Sequence, residues 1–318
     1  MNSAKDRPES FVARNKLWLI PKALISLGLL ALAFYMTDWS EGAQVLSAFP
    51  AWAWLAGIML IALQLPILAL RWVIILRASD TDLDYSDACR FTYTGFFFNQ
   101  ALPSAVGGDF MRAFLAWKSG LEFKPALSSV LLERATGLFV LALFSAFVLN
   151  GESARLGGGW THASLAGWLI LLAFIGLATL FLLDRWMAEY CSKRTILSFL
   201  GEVAKQFRNL LRNRNAFVSV FLLGGLSSLV GLSAIAVAAF SQGLALTYFQ
   251  VLGISALVIV ATVIPVSISG WGVRETLFIW LLTPLGIPAE QALGLSVWFG
   301  LASIVASVPG GLIWLRSR

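Results

Sequence analysis

Asn99-Gln100-Ala101-Leu102-Pro103-Ser104-Ala105-Val106-Gly107-Gly108-Asp109-Phe110-Met111-Arg112 lies inside an apolar region, 91–117, and prevents that region from forming one helix. Proline removes a backbone donor and fixes φ, while glycine tolerates the dihedrals of a tight reversal. A second apolar region, 249–282, is broken in the same manner at Pro265-Val266-Ser267-Ile268-Ser269-Gly270-Trp271-Gly272. Each flank of a break offers roughly 10–16 residues, about 15–24 Å of helix at 1.5 Å per residue. A hydrocarbon core is about 30 Å thick, so such flanks are too short to cross it but long enough to enter and turn back. Unpaired backbone at that depth survives only inside protein or beside a water-filled cavity. Both regions are expected to be re-entrant helical hairpins.

The two breaks share the pattern P-x4-G-x3-R. Pro103, Gly108 and Arg112 correspond to Pro265, Gly270 and Arg274, each 162 residues further on. The same shift carries 52–76 onto 214–238 and 125–149 onto 287–311, overlying apolar segments at 216–240 and 291–315. With 17–36 and 163–183 these make six stretches long enough to span; 17–36 fits the shift poorly. The expected fold is an all-α polytopic membrane protein, with six transmembrane helices and two re-entrant hairpins in one membrane domain over 1–318. A first repeat covers 17–149 and a second 163–315.

Composition excludes the alternatives. Of 318 residues, 58% are apolar and 13% charged, with a mean hydropathy of +0.81. Soluble domains hold about 25% charged residues, and disordered chains still more. The formal charge of +6 is concentrated beside apolar runs: four Lys and Arg in 1–16, seven in 184–215, and Arg316 and Arg318 at the end. The opposite connectors carry only Arg155. By the positive-inside rule 1–16 and the basic 184–215 loop are cytoplasmic, as are both termini. The first hairpin then enters from the cytoplasm and the second from outside, which makes the repeat an inverted one. This charge pattern is topological, and nucleic acid is not an expected partner.

Cofactor chemistry has little to build on. His162 is the only histidine, and Cys89 and Cys191 have no metal-ligand spacing. Gly107-Gly108 lacks the strand and Lys-Ser/Thr of a nucleotide loop, and the Asp80, Asp82, Asp84 and Asp87 cluster lacks calcium-loop spacing. No cofactor or metal is expected.

Seven ionisable residues fall in apolar surroundings: Arg71, Asp109, Arg112, Glu133, Arg134, Arg274 and Glu275. A charge at mid-bilayer costs about 2.5–3.5 kcal/mol by insertion scales, so such residues pair or face a cavity. One reading makes them clamps that hold the hairpins together. The other uses the excess of four arginines over three acids. Arg112 and Arg274 each follow a Gly-rich turn, where free N–H groups and a guanidinium fork make an anion site. Asn99, Gln100, Ser104, Ser267 and Ser269 either donate to that anion or satisfy freed carbonyls.

The stretch from Phe98 to Arg112 resembles the first signature of the lysylphosphatidylglycerol synthase transmembrane (flippase) family. Glu133-Arg134-Ala135-Thr136-Gly137-Leu138 resembles its following helix motif, and Ile264 to Glu275 is similar to its second signature. The resemblance covers about Leu17 to Trp314. It implies kinship with the membrane half of bacterial multiple peptide resistance factors, which flips aminoacylated phosphatidylglycerol, and with members tied to hopanoid or glycolipid pathways. The sequence stops at Arg318 without a soluble aminoacyl-transferase domain, so a stand-alone member is expected and the synthase activity is not carried over.

The resulting expectation is a lipid translocator of the bacterial cytoplasmic membrane, acting on a phospholipid, glycolipid or hopanoid. Arg112 and Arg274 hold the phosphate, and the Gly108 and Gly270 turns add backbone donors. Asp109 and Glu275 orient the arginines or meet an amine, while Glu133 and Arg134 line the cavity, with Asn99 and Ser104 beside the first turn. Two alternatives are an accessory lipid-binding subunit for a lipid-modifying enzyme, and a membrane enzyme using Glu133 or Asp109 as base.

Overall fold

The computed structural model describes residues 44–102, 107–151, 167, 195–263, 267 and 269–317. The described residues are helical, with no strand among them. In chain order the helices are α1 (Ala51–Arg77), α2 (Tyr85–Ala101), α3 (Gly107–Lys118), α4 (Phe123–Gly151), α5 (Thr195–Arg212), α6 (Arg214–Ser241), α7 (Tyr248–Thr262), α8 (Val273–Leu282) and α9 (Ala289–Arg316), with a 3-10 turn at Thr283–Leu285.

Helices α1, α4, α6 and α9 are long and apolar enough to cross a membrane. They contain the expected stretches 52–76, 125–149, 216–240 and 291–315. The stretch 17–36, and all of 163–183 except Gly167, lie outside the described residues. Each broken region becomes two short helices, α2 with α3 and α7 with α8. Local chemistry sets their ends. Asp84 caps α2 by accepting from the Ser86 amide at 2.9 Å. Thr247 and Gln250 form a reciprocal capping box at the start of α7. Before α8 the chain turns through Gly270 and Gly272, with φ of 81° and 85°, a region open to glycine at little cost.

The segment 184–215, expected as a basic loop, contains helix α5. Its Val203, Ala204, Phe207 and Leu210 are buried, and Phe207 and Leu210 pack with Ile75, Leu132 and Val220. Gln206 donates to the Pro125 carbonyl at 3.0 Å. Lys205 points to solvent, so the charge count that marks the segment as a connector also hides a helix with one apolar face.

The two halves pack as counterparts. Helices α1 and α6 lie against each other in opposite directions, because Gln64 meets Gly231 while Arg71 meets Gly224. Exchanging the halves turns α1 into α6, α2 into α7, α3 into α8 and α4 into α9. Under that exchange the α2–α9 packing becomes α7–α4, and α3–α4 becomes α8–α9. Both members of each pair are present. The α2–α9 contact is close: a side chain at Gly310 would overlap the Tyr93 carbonyl, which only glycine avoids.

Candidate functional site

The buried charges form three groups. In the first, Glu133 of α4 is shared by two arginines. Arg71 of α1 donates from Nε to Oε1 at 3.0 Å, pairs with that oxygen again through Nη2, and reaches the Glu133 carbonyl at 3.0 Å. Arg112 of α3 donates from Nη1 to Oε2 at 3.0 Å. Its guanidinium stacks on Trp72, 4.5 Å from the ring centre, and its Nε and Nη2 are buried without a hydrogen-bond partner among the described residues. Trp72 is itself held by a 2.8 Å bond from its indole N–H to Ser129.

In the second group buried Asp109 of α3 pairs with half-buried Arg134 of α4. In the third, Arg274 of α8 donates from Nε to Ser296 at 3.0 Å and from Nη2 to Glu275 Oε1 at 2.9 Å. Ser296 donates to the same oxygen at 2.9 Å, and the Gly272 amide donates to Glu275 Oε2 at 2.6 Å. Arg274 also stacks on Trp271, 4.8 Å from the ring centre. Charges buried in this manner are retained because each ion has both a partner and hydrogen bonds.

Three of these arginines pass beside a glycine. A Cβ at Gly137 would lie 2.8 Å from Arg71 Nη2, at Gly95 2.5 Å from Arg112 Cγ, and at Gly300 2.5 Å from Arg274 Nη2. Gly137 belongs to the Glu133-to-Leu138 motif, so that motif supplies both the counter-ion of Arg71 and the space it occupies.

A cavity of about 310 Å³ lies between the halves. Arg71 and Arg274 both line it, together with Gln64, Gln100, Ser228 and Ser303. Each of the two arginines keeps one nitrogen, Nη1, without a hydrogen-bond partner among the described residues. The two breaks meet at its wall, where Ser269 donates to the Asn99 carbonyl at 3.0 Å.

The expected site residues are thus only partly brought together. Arg274 lines the cavity. Arg112 does not, because Glu133 and Trp72 hold it within the first half; Arg71 stands at the cavity instead. Gly108 gives its amide to Asn99 Oδ1 at 2.9 Å and abuts the Gly95 carbonyl, so it serves the α2–α3 contact. Gly270 borders Thr262 of α7. Asp109, Glu133 and Glu275 all engage arginines, and Arg134 joins the first. Ser104 lies outside the described residues. The signal for Arg71 was its spacing: Gln64, Leu68 and Arg71 recur at i, i+4 and i+7 on one face of an otherwise apolar helix.

The lysylphosphatidylglycerol synthase TM region family matches residues 19–311 of this sequence, a span holding both breaks and all three charge groups. The chain belongs to this family. As a lysylphosphatidylglycerol synthase TM region protein it is embedded in the membrane by several passes, and its function concerns membrane lipids. No curated protein matches the sequence.

Proposed function

We propose that the protein is a lipid translocator, which carries an anionic headgroup between leaflets through the cavity shared by its two halves. The observation that carries this reading is the pair Arg71 and Arg274, one from each half, lining one cavity, each with an Nη1 that has no hydrogen-bond partner among the described residues. A guanidinium nitrogen in a low-dielectric cavity is a strong donor to phosphate oxygen. Donors from opposite halves keep contact with one phosphate while the halves rock about it, as alternating access requires.

In this reading α2–α3 and α7–α8 are re-entrant hairpins entering from opposite faces. Their helices of 17, 12, 15 and 10 residues support this, since even 17 residues extend only about 25 Å at 1.5 Å per residue. Antiparallel α1 and α6 support an inverted repeat. With 17–36 and 163–183 as further spans, six helices cross and both termini lie in the cytoplasm of a bacterial inner membrane. No nucleotide motif is present in the sequence, so transport is passive or coupled to an ion gradient.

Reconstitution tests the proposal. Vesicles holding the full chain and a trace of fluorescent phosphatidylglycerol should lose more than half their signal to an impermeant quencher, as inner-leaflet probe reaches the outside. Vesicles without protein should stop at half. Identical curves, with lipid still bound by the purified protein, would assign it a lipid-binding accessory role instead.

A further inference from the structure

Helix α1 carries a proline in its interior. Pro66 has no amide to give the Ala62 carbonyl one turn earlier, and its ring crowds that oxygen, so the helical ladder is interrupted there. In a membrane a freed carbonyl has to be met by a neighbouring group. Tyr93 of α2 meets it: its hydroxyl donates to the Ala62 carbonyl at 3.0 Å. Tyr85, about two turns earlier on the same side of α2, donates to the Pro66 carbonyl at 3.3 Å. The second half lacks this arrangement. The shift of 162 residues carries Pro66 to Ser228 and Tyr93 to Ser255. Ser228 lies inside α6 and keeps its amide, and the Ser255 hydroxyl is buried without a hydrogen-bond partner among the described residues. Proline and phenol are present together in one half and absent together from the equivalent positions of the other.

The two arms of α1 on either side of Pro66 are held differently. The arm after it is fixed to α4: Arg71 is bound to Glu133, and fully buried Trp72 donates to Ser129 at 2.8 Å. The arm before it leaves Trp52, Leu55, Met59 and Leu63 exposed, and its Gly57 lies against the Trp298 ring of α9. Gln64, before the proline, and Leu68 and Arg71, after it, line the cavity. A change of bend at Pro66 therefore moves Gln64, which sits beside Gly231 of α6, relative to Arg71. Helix α2 is placed to drive that change. The Tyr93 side chain holds the interrupted rung, and the Tyr93 carbonyl abuts Gly310, next to Pro309 of α9. Further along α2, the Asn99 carbonyl accepts from Ser269 of the second half.

We infer that Pro66 is a hinge in α1 and that Tyr93 is the positioning residue that sets its angle, coupling movement of the α2–α3 pair to the shape of the cavity. The consequence for transport rests on the translocator reading; the hinge itself does not. Tyr93 does not line the cavity and acts through α1. While its hydroxyl is bonded to the Ala62 carbonyl, the two arms are held at one angle. When α2 moves, the carbonyl is released and α1 bends about the missing rung, as helices do at proline. Hinges are a few positions that absorb a backbone change between rigid arms, far from the chemistry they serve.

Tyr93→Phe, Pro66→Ala and the double variant test this in the full chain. Tyr93→Phe removes only the hydroxyl, and Pro66→Ala returns the amide that the Ala62 carbonyl lacks. Hydrogen–deuterium exchange of peptides covering 60–70 reads the hinge without any lipid transport. Amides there should exchange roughly threefold to tenfold faster in Tyr93→Phe than in wild type, the range that one net hydrogen bond sets. They should exchange more slowly in Pro66→Ala, and Tyr93→Phe should add nothing once Pro66 is alanine. No change in Tyr93→Phe, or the same rise in both backgrounds, would overturn the inference, because the phenol would then act independently of the proline. In vesicles Pro66→Ala should slow phosphatidylglycerol exchange several-fold while raising Tm. A higher Tm with lipid exchange unchanged is what a merely structural bond gives, and that result would also overturn it. If the wild-type chain moves no lipid, the translocator reading fails, and the deuterium measurements still decide the hinge.

Discussion

Arg112 and Glu133 share one hydrogen bond, Nη1 to Oε2 at 3.0 Å, while the Nε and Nη2 of Arg112 stay buried with no hydrogen-bond partner among the described residues. The other Glu133 oxygen belongs to Arg71 at the cavity wall. A phosphate that binds Arg71 competes with Glu133 for it, and the open edge of Arg112 is a bidentate seat for the displaced carboxylate. Arg112→Gln removes that seat without touching the cavity lining. The expected result is slower lipid exchange with headgroup affinity nearly unchanged, whereas Arg71→Gln weakens affinity itself. Exchange rates and binding, measured on the same preparations, separate the two.

Glu133→Gln leaves Arg71 and Arg112 buried together without their common counter-ion. Removing one partner of a buried ion pair costs about 3–5 kcal/mol. Chemical unfolding in mixed micelles should show a loss of that order, and Glu133→Gln combined with Arg112→Gln should recover part of it. Recovery identifies stranded charge, and not lost packing, as the cause.

Helix spacing gives an independent test of the fold. Gly310→Ala forces α9 away from the Tyr93 backbone and should destabilise by about 1–3 kcal/mol, as overpacking does. Gly225→Ala meets nothing within 4 Å and should cost nothing. Thermal unfolding of the two variants beside wild type checks both.

The orientation of the chain is testable by labelling. With Cys89 and Cys191 replaced by serine, a cysteine at Asn209 should be shielded from an impermeant thiol reagent in intact cells. One at Thr161 should react. The prediction follows from the Lys/Arg asymmetry of the connectors.

Much of this architecture is legible in the residues. The four described long helices end within two residues of the apolar stretches, because a bilayer imposes a long, nearly uninterrupted run that local propensity cannot mask. The two breaks are legible because proline and glycine mark them. Helix α5 is not, since its apolar face is diluted by seven basic residues in the surrounding segment. The site is only half legible. Sequence symmetry makes Arg112 and Arg274 equivalent, and their positions in α3 and α8 are equivalent. Their surroundings are not: Arg112 meets Glu133, whereas Arg274 meets Ser296 and keeps a nitrogen for the cavity. Which arginine reaches the cavity depends on contacts between α3, α4 and α1, residues far apart along the chain.

The central claim is that Arg71 and Arg274 hold one and the same headgroup phosphate. The most direct measurement is a double-mutant cycle on phosphatidylglycerol exchange with wild type, Arg71→Gln, Arg274→Gln and the double variant in reconstituted vesicles. Residues sharing a ligand couple by about 0.5–3 kcal/mol, so the double variant should lose markedly less than the product of the two single losses. Losses that multiply without coupling, or either single variant exchanging lipid at the wild-type rate, would contradict it.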